Sequence, residues 1–155
     1  MLSKSEREYH RKTGVRCFNE TWEYLEKKGR TEQDNLKMLQ LAHASRYHWG
    51  TVGTPRNKAV GDWQISRVYA ALKQPSLSLL FAKSALQICR RQKLAELLVS
   101  AYEGVARAHA VAGERTSARK YLKLARNQLR TLDLGRKDRR IYLDQIKETE
   151  KLIHS

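Results

Sequence analysis

A stretch of sequence that returns after forty residues constrains this chain more than any other feature. Trp63–Leu86 reads WQISRVYAALKQPSLSLLFAKSAL, and Glu103–Arg126 reads EGVARAHAVAGERTSARKYLKLAR. Superposed, Ser66-Arg67-Val68-Tyr69 falls on Ala106-Arg107-Ala108-His109, Phe81 on Tyr121 and Ala85 on Ala125. Lys73 and Gly113 take the same turn. Each copy carries apolar residues at helical spacing on both sides of a short break, which predicts two helices folded back on each other. Self-similarity at a fixed period predicts a stack of such hairpins. Small residues (Ser66/Ala106, Ser78/Ala118, Ala82/Leu122) fall where paired helices must approach closely, with Leu122 the poorer fit.

The flanking sequence extends the pattern. Residues 1–15 form a polar segment in which Ser3 to about Lys12 can form a short helix or fray, and residues 16–155 a single helical-repeat domain. An amphipathic helix is expected from near Arg16, with Phe18, Trp22 and Leu25 on one stripe and Gly29 at its end. Thr31 and Asp34 stand at capping-box spacing before a helix reaching about Trp49. Its inner side is read as Leu36, Leu39, Ala42, His43, Tyr47 and Gly50. Thr54 then caps a helix with Pro55 in its first turn, where proline costs nothing, and Pro75 opens the next. After Asp133-Leu134-Gly135 a last helix, about Lys137 to His154, caps the stack with Ile141, Ile146 and Leu152. The two prolines both stand at helix starts, and strong helix formers dominate the rest, so the fold class is all-α.

The hairpins resemble tetratricopeptide repeats: a small residue three before an aromatic in the first helix, a turn, then small residues in the second. The likeness covers roughly Arg56–Arg130, with Arg16–Trp49 as a more diverged first pair. The period is longer than usual, and Lys73 stands where the turn glycine is expected. The phrases LAHASRYHWGTVGTPRNKAVGDWQISRVY and AYEGVARAHAVAGE are also similar to a prokaryotic family of such proteins, a likeness that implies fold and no chemistry. Tetratricopeptide-like stacking implies a concave surface lined by the first helix of each pair.

That surface would carry Arg46, Trp63, Arg67, Glu103 and Arg107. Trp63, Arg67 and Ala70 share one helix face, as do Glu103, Arg107 and Ala110. An indole and guanidiniums in a groove suit a carboxylate, an acidic segment or a phosphate, because arginine donates as a fork. The alternative is structural: Glu103 and Arg107 stand at i,i+4 and can satisfy each other.

The net charge of +15 favours acidic partners, or serves solubility. Part of it forms a stripe, Arg115, Arg119, Lys123, Arg126 and Arg130, continued by Arg136, Lys137, Arg139 and Arg140. Such a stripe suits nonspecific phosphate-backbone binding or a solvated outer face. No aromatic interleaves it, as a single-strand binder would prefer.

Chemistry is sparsely signalled, and neither a catalytic site nor a metal or other cofactor is expected. Gly50-Thr51-Val52-Gly53-Thr54 lacks the Lys-Ser/Thr of a phosphate loop and reads as an interhelical turn. His43 and His48 are separated by roughly 140° around a helix, too far to grip one ion. An enzyme would need His43, His48, Glu103 and His109 to converge, or Asp62 and Glu103 to pair. Cys17 and Cys89 fit no ligand spacing and read as buried free thiols of a cytoplasmic protein. Met1–Arg16 shows no apolar signal core, and no run approaches membrane-spanning length. The expected role is binding of a protein or acidic peptide, with nucleic acid as the alternative. A stack this short also leaves end faces that a second copy would cover.

Overall fold

Four helices of nearly equal length carry the repeat: α3 (Pro55–Ala71), α4 (Pro75–Arg91), α5 (Ala95–Val111) and α6 (Arg115–Arg130). Before them stand α1 (Lys4–Glu26) and α2 (Glu32–Val52), and after them α7 (Arg136–His154). The computed structural model describes residues 1–155 and contains helices and no strand. The chain is an all-α stack of helical hairpins.

The forty-residue period divides into two equal halves. Lys73, Lys93 and Gly113 stand twenty apart and all adopt left-handed backbone, with φ of 57°, 53° and 78°. At each, the next residue's N–H donates back to the carbonyl five before it: Gln74 to Tyr69, Leu94 to Cys89 and Glu114 to His109, at 2.9–3.0 Å. This is the helix-ending turn that glycine usually supplies. Lys93 escaped the sequence reading because lysine at such a turn leaves no local signal.

Helices pair as α1·α2, α3·α4 and α5·α6, while α1, α3, α5 and α7 also touch in succession to form one layer. Along it, Ile65, Val68, Ala101, Val105 and Ala106 are buried, with Ala82, Ala85, Leu86 and Cys89 beneath them on α4. α7 closes the end of the stack by packing on α5 and α6 through Ile146 and Ile153. The other two apolar residues expected there are largely outside, Ile141 at 53% and Leu152 at 37% exposure. Leu122 is no misfit: it is buried among Val99, Ala106, Ile146 and Ile153, filling space that the cap requires.

The first hairpin departs most from expectation. α1 begins at Lys4, so the short polar helix and the amphipathic helix expected from near Arg16 are one continuous element. Ser3 and Glu6 form a capping box, the Glu6 N–H reaching the Ser3 hydroxyl at 3.2 Å and the Ser3 N–H reaching the Glu6 carboxylate at 2.6 Å. Thr13, Gly14, Cys17 and Thr21 are the buried stripe, while Phe18, Trp22 and Leu25 are only half-buried. On α2 the buried residues are Met38, Ala42 and Ser45, and Leu36 and Tyr47 face solvent. The physical reason is close approach: a side chain at Gly14 would lie 3.0 Å from the Trp49 indole, and Ser45 donates to the Gly14 carbonyl at 2.8 Å. A face built for proximity uses small and polar residues, which hydrophobic periodicity does not register. No helix is long and apolar enough to cross a membrane.

Candidate functional site

The centre of the inner layer is a buried carboxylate. Glu103, in mid-α5, is fully buried, and three side chains donate to it. Arg107 Nε reaches Oε1 at 2.9 Å, the Thr149 hydroxyl of α7 reaches the same oxygen at 2.5 Å, and Trp63 Nε1 approaches Oε2 at 3.4 Å. Burial pushes this carboxyl up, but Arg107, Arg67 and the Thr149 hydrogen bond outweigh it and hold it below the usual glutamate range. Glu103 therefore ties α3, α5 and α7 together and is not a surface contact.

Over this anchor lies Arg67 of α3. Its guanidinium carbon stands 5.1 Å from the Trp22 ring centroid and 5.6 Å from that of Trp63, a cation set against two neighbouring indoles. The rings themselves tilt together with centroids 5.7 Å apart. Arg67 and Arg107 both reach Glu148 of α7, Nη2 to Oε2 at 3.1 and 3.3 Å. Burial first, and then the Arg107 charge, draw the Arg67 guanidinium down from its ordinary value.

Trp22, Arg67, Arg107 and Glu148 form one wall of a groove of about 840 Å³ between α1, α3, α5 and α7, while Trp63 and Glu103 are not part of its lining. Its lining continues through Leu25, Arg30, Ala70, Lys73, Ala110 and Leu152. Arg30 is spoken for: it hydrogen-bonds Asn35 and the last carbonyls of α1, Tyr24 and Leu25 among them. Beyond Trp63 a smaller apolar cavity of about 180 Å³ opens between Ala59, Cys89, Leu97, Ala101 and Tyr142. Burial pushes the Cys89 thiol there up to about 11, which leaves it without thiolate character at neutral pH.

Of the five residues expected in the groove, Arg67 and Arg107 line it, Trp63 and Glu103 are tied to them by the buried network without lining it, and Arg46 stands apart. Arg46 pairs with buried Asp62 at 2.7 Å, and the second Asp62 oxygen accepts from Ser84 of α4 at 2.7 Å. That triad joins α2, α3 and α4, so Asp62 and Glu103 serve separate networks and do not pair. The three histidines do not converge either. His43 Nε2 meets the Tyr69 hydroxyl at 3.0 Å, His48 meets His10 at 2.8 Å, and His109 meets Glu114 at 2.5 Å. Burial lowers the His43 and His48 imidazoles from their ordinary value, His48 further through the charges of His10 and Arg16. No three side chains of ligand type gather to hold a metal ion.

The cationic stripe survives in part. Arg115, Arg119, Lys123 and Arg130 of α6 are exposed, whereas Arg126 is half-buried and paired with Glu150 at 2.9 Å. Its continuation is interrupted, because Arg139 donates to the Leu129 and Leu132 carbonyls at the end of α6. Cys17 and Cys89 are buried and unpaired.

Three residues of the site were not foreseen there: Trp22, Glu148 and Thr149. Trp22 stood out in sequence as part of an apolar stripe, but its contact with Arg67 spans two hairpins. Glu148 and Thr149 lie in α7, outside both copies of the repeat, and no local pattern singles them out. No protein-family model, curated protein or solved structure matches the chain.

Proposed function

We propose that the protein is a binding module that holds an acidic segment of a partner protein in the groove between α1 and α7. The observation that carries this reading is Arg67, a groove-lining cation set against two indoles that makes one hydrogen bond and has further N–H donors to spare. A guanidinium has five N–H donors in a planar fork, and preorganisation removes part of the entropy of binding a carboxylate. The layer of first helices that forms this groove resembles the concave face of tetratricopeptide stacks, which supports a peptide rather than a small molecule as occupant. Two unpaired buried thiols suit a reducing compartment, and the cytoplasm is part of the same reading.

Arg67→Ala is the variant that tests it. The substitution leaves Glu148, already 56% exposed, with its bond from Arg107 and spares the buried Glu103–Arg107 pair. A labelled, C-terminally amidated oligoglutamate peptide should bind the wild-type chain and lose at least about tenfold in affinity on Arg67→Ala, the worth of one charge-assisted hydrogen bond. Equal binding by both proteins would remove the groove from consideration.

A second reading rests on the four exposed stripe cations, Arg115, Arg119, Lys123 and Arg130, none of which has a carboxylate partner. Nonspecific nucleic-acid binding there predicts a gel shift that weakens steeply with salt and disappears on charge reversal at Arg115, Arg119 and Lys123. Absence of a shift at low salt eliminates it.

A further inference from the structure

We infer that Glu148 is a built-in occupant of a carboxylate site formed by Arg67 and Arg107, and that a partner's acidic side chain enters by displacing it. The inference rests on the groove reading above and adds how the site is held when no partner is present.

The bridge is lopsided. Arg67 and Arg107 keep only 14% and 12% of their side-chain surface exposed, while the carboxylate joining them is 56% exposed. Both bonds end on the same oxygen, Oε2, and the other oxygen of Glu148 has no partner. Each arginine offers it only Nη2, so neither guanidinium is engaged through its fork. Ion pairs to so exposed a side chain contribute little to folding, because water competes for the charge and the side chain loses freedom. Glu148 can therefore swing out at small cost. Thr149 and Ile146 beside it are fully buried and keep α7 in place, so release is a side-chain movement and not an unfolding of the helix.

What Glu148 leaves behind selects the ligand. Arg107 still holds Glu103 through Nε, but Arg67 loses its one hydrogen bond. Two guanidiniums then stand against the single carboxylate of Glu103, a net of one positive charge above a buried anion. One carboxylate neutralises that charge, and its planar pair of oxygens matches the guanidinium fork. The occupant is thus a glutamate or aspartate side chain of a partner segment, in the place Glu148 takes within the chain.

The test uses the full chain as wild type, Glu148→Ala, Glu148→Gln and the double variant Glu148→Ala/Arg67→Ala, with sodium acetate as the probe. At equal ionic strength, exchanging chloride for acetate should raise the melting temperature of Glu148→Ala and leave wild type and the double variant unmoved. Glu148→Gln covers the case in which the alanine variant folds poorly, since it keeps the side chain's size and lacks only the charge. The amidated oligoglutamate peptide should bind Glu148→Gln about tenfold more tightly than wild type, because no internal competitor reduces the open fraction. Equal peptide affinity for wild type and Glu148→Gln, with Arg67 still required, keeps the groove reading and overturns displacement. Acetate stabilisation confined to Glu148→Ala, with no peptide bound by any variant, upholds the carboxylate site and overturns the acidic-segment reading. No acetate effect in either Glu148 variant overturns the inference.

Discussion

Replacing Arg107 by alanine is expected to lower the free energy of unfolding by about 3–5 kcal/mol, the cost of stranding a buried charge. The carboxylate left behind is Glu103, which has no exposed surface and takes from Arg107 both a 2.9 Å hydrogen bond and its nearest positive charge. Thr149 and Trp63 would still donate, but neither carries charge. Removing both partners should cost less than removing one: Arg107→Ala/Glu103→Gln is expected to be more stable than Arg107→Ala alone, since the residues form one network. Urea denaturation at pH 7 of the two single variants and the double variant measures this. Arg107 is consequently unsuitable for an alanine test of binding, although sequence ranks it equally with Arg67.

The same carboxylate sets an acid limit. Its folded-state affinity for protons is depressed, so its contribution to stability is complete above the unfolded glutamate pKa of about 4.3. That contribution is lost as pH falls through the lower folded value. Within that window unfolding takes up a proton at Glu103, and Glu103→Gln should flatten the acid limb of the stability curve.

Leu122→Ala is expected to cost about 3–5 kcal/mol, by loss of transfer free energy and by the cavity it opens. Leu122 is 1% exposed and packs in the cluster that joins α5 and α6 to Ile146 and Ile153 of α7. Its counterpart in the first copy is Ala82, equally buried in the α3–α4–α5 cluster. Hydrogen exchange should show α7 amides losing protection together with those of α6 in this variant. Protection unchanged in α7 would mean that the cap is held by something other than the Leu122 cluster.

The repeat made the hairpins legible because periodicity reports which residues are buried, and α4 and α6 bury a single stripe in the ordinary amphipathic way. It was silent where burial follows other rules. Thr13, Gly14, Cys17 and Thr21 dock α1 by being small, not by being apolar, so counting hydrophobic positions pointed to Phe18, Trp22 and Leu25 instead. Of the site, Trp63, Arg67, Glu103 and Arg107 could be named because they recur at matching positions on two successive helices. Their unequal roles could not. Whether Glu103 is exposed or buried depends on Thr149 of α7, forty-six residues away, and whether Arg67 is free depends on Trp22 and Glu148. Arg46 looked like a third member of the series because it shares the small-Arg pattern, yet Asp62 captures it on another face of the stack.

The chain carries three tryptophans, and their positions make the most direct test of the acidic-segment groove. Trp22 and Trp63 both lie against Arg67, whereas Trp49 packs against Gly14 and Gly53 in the first hairpin. Indole N–H signals followed by NMR during titration with amidated oligoglutamate should move for Trp22 and Trp63 and stay fixed for Trp49. Movement of Trp49 alone, or of none of the three while α6 amides shift, would contradict the account and place acidic ligands outside the groove.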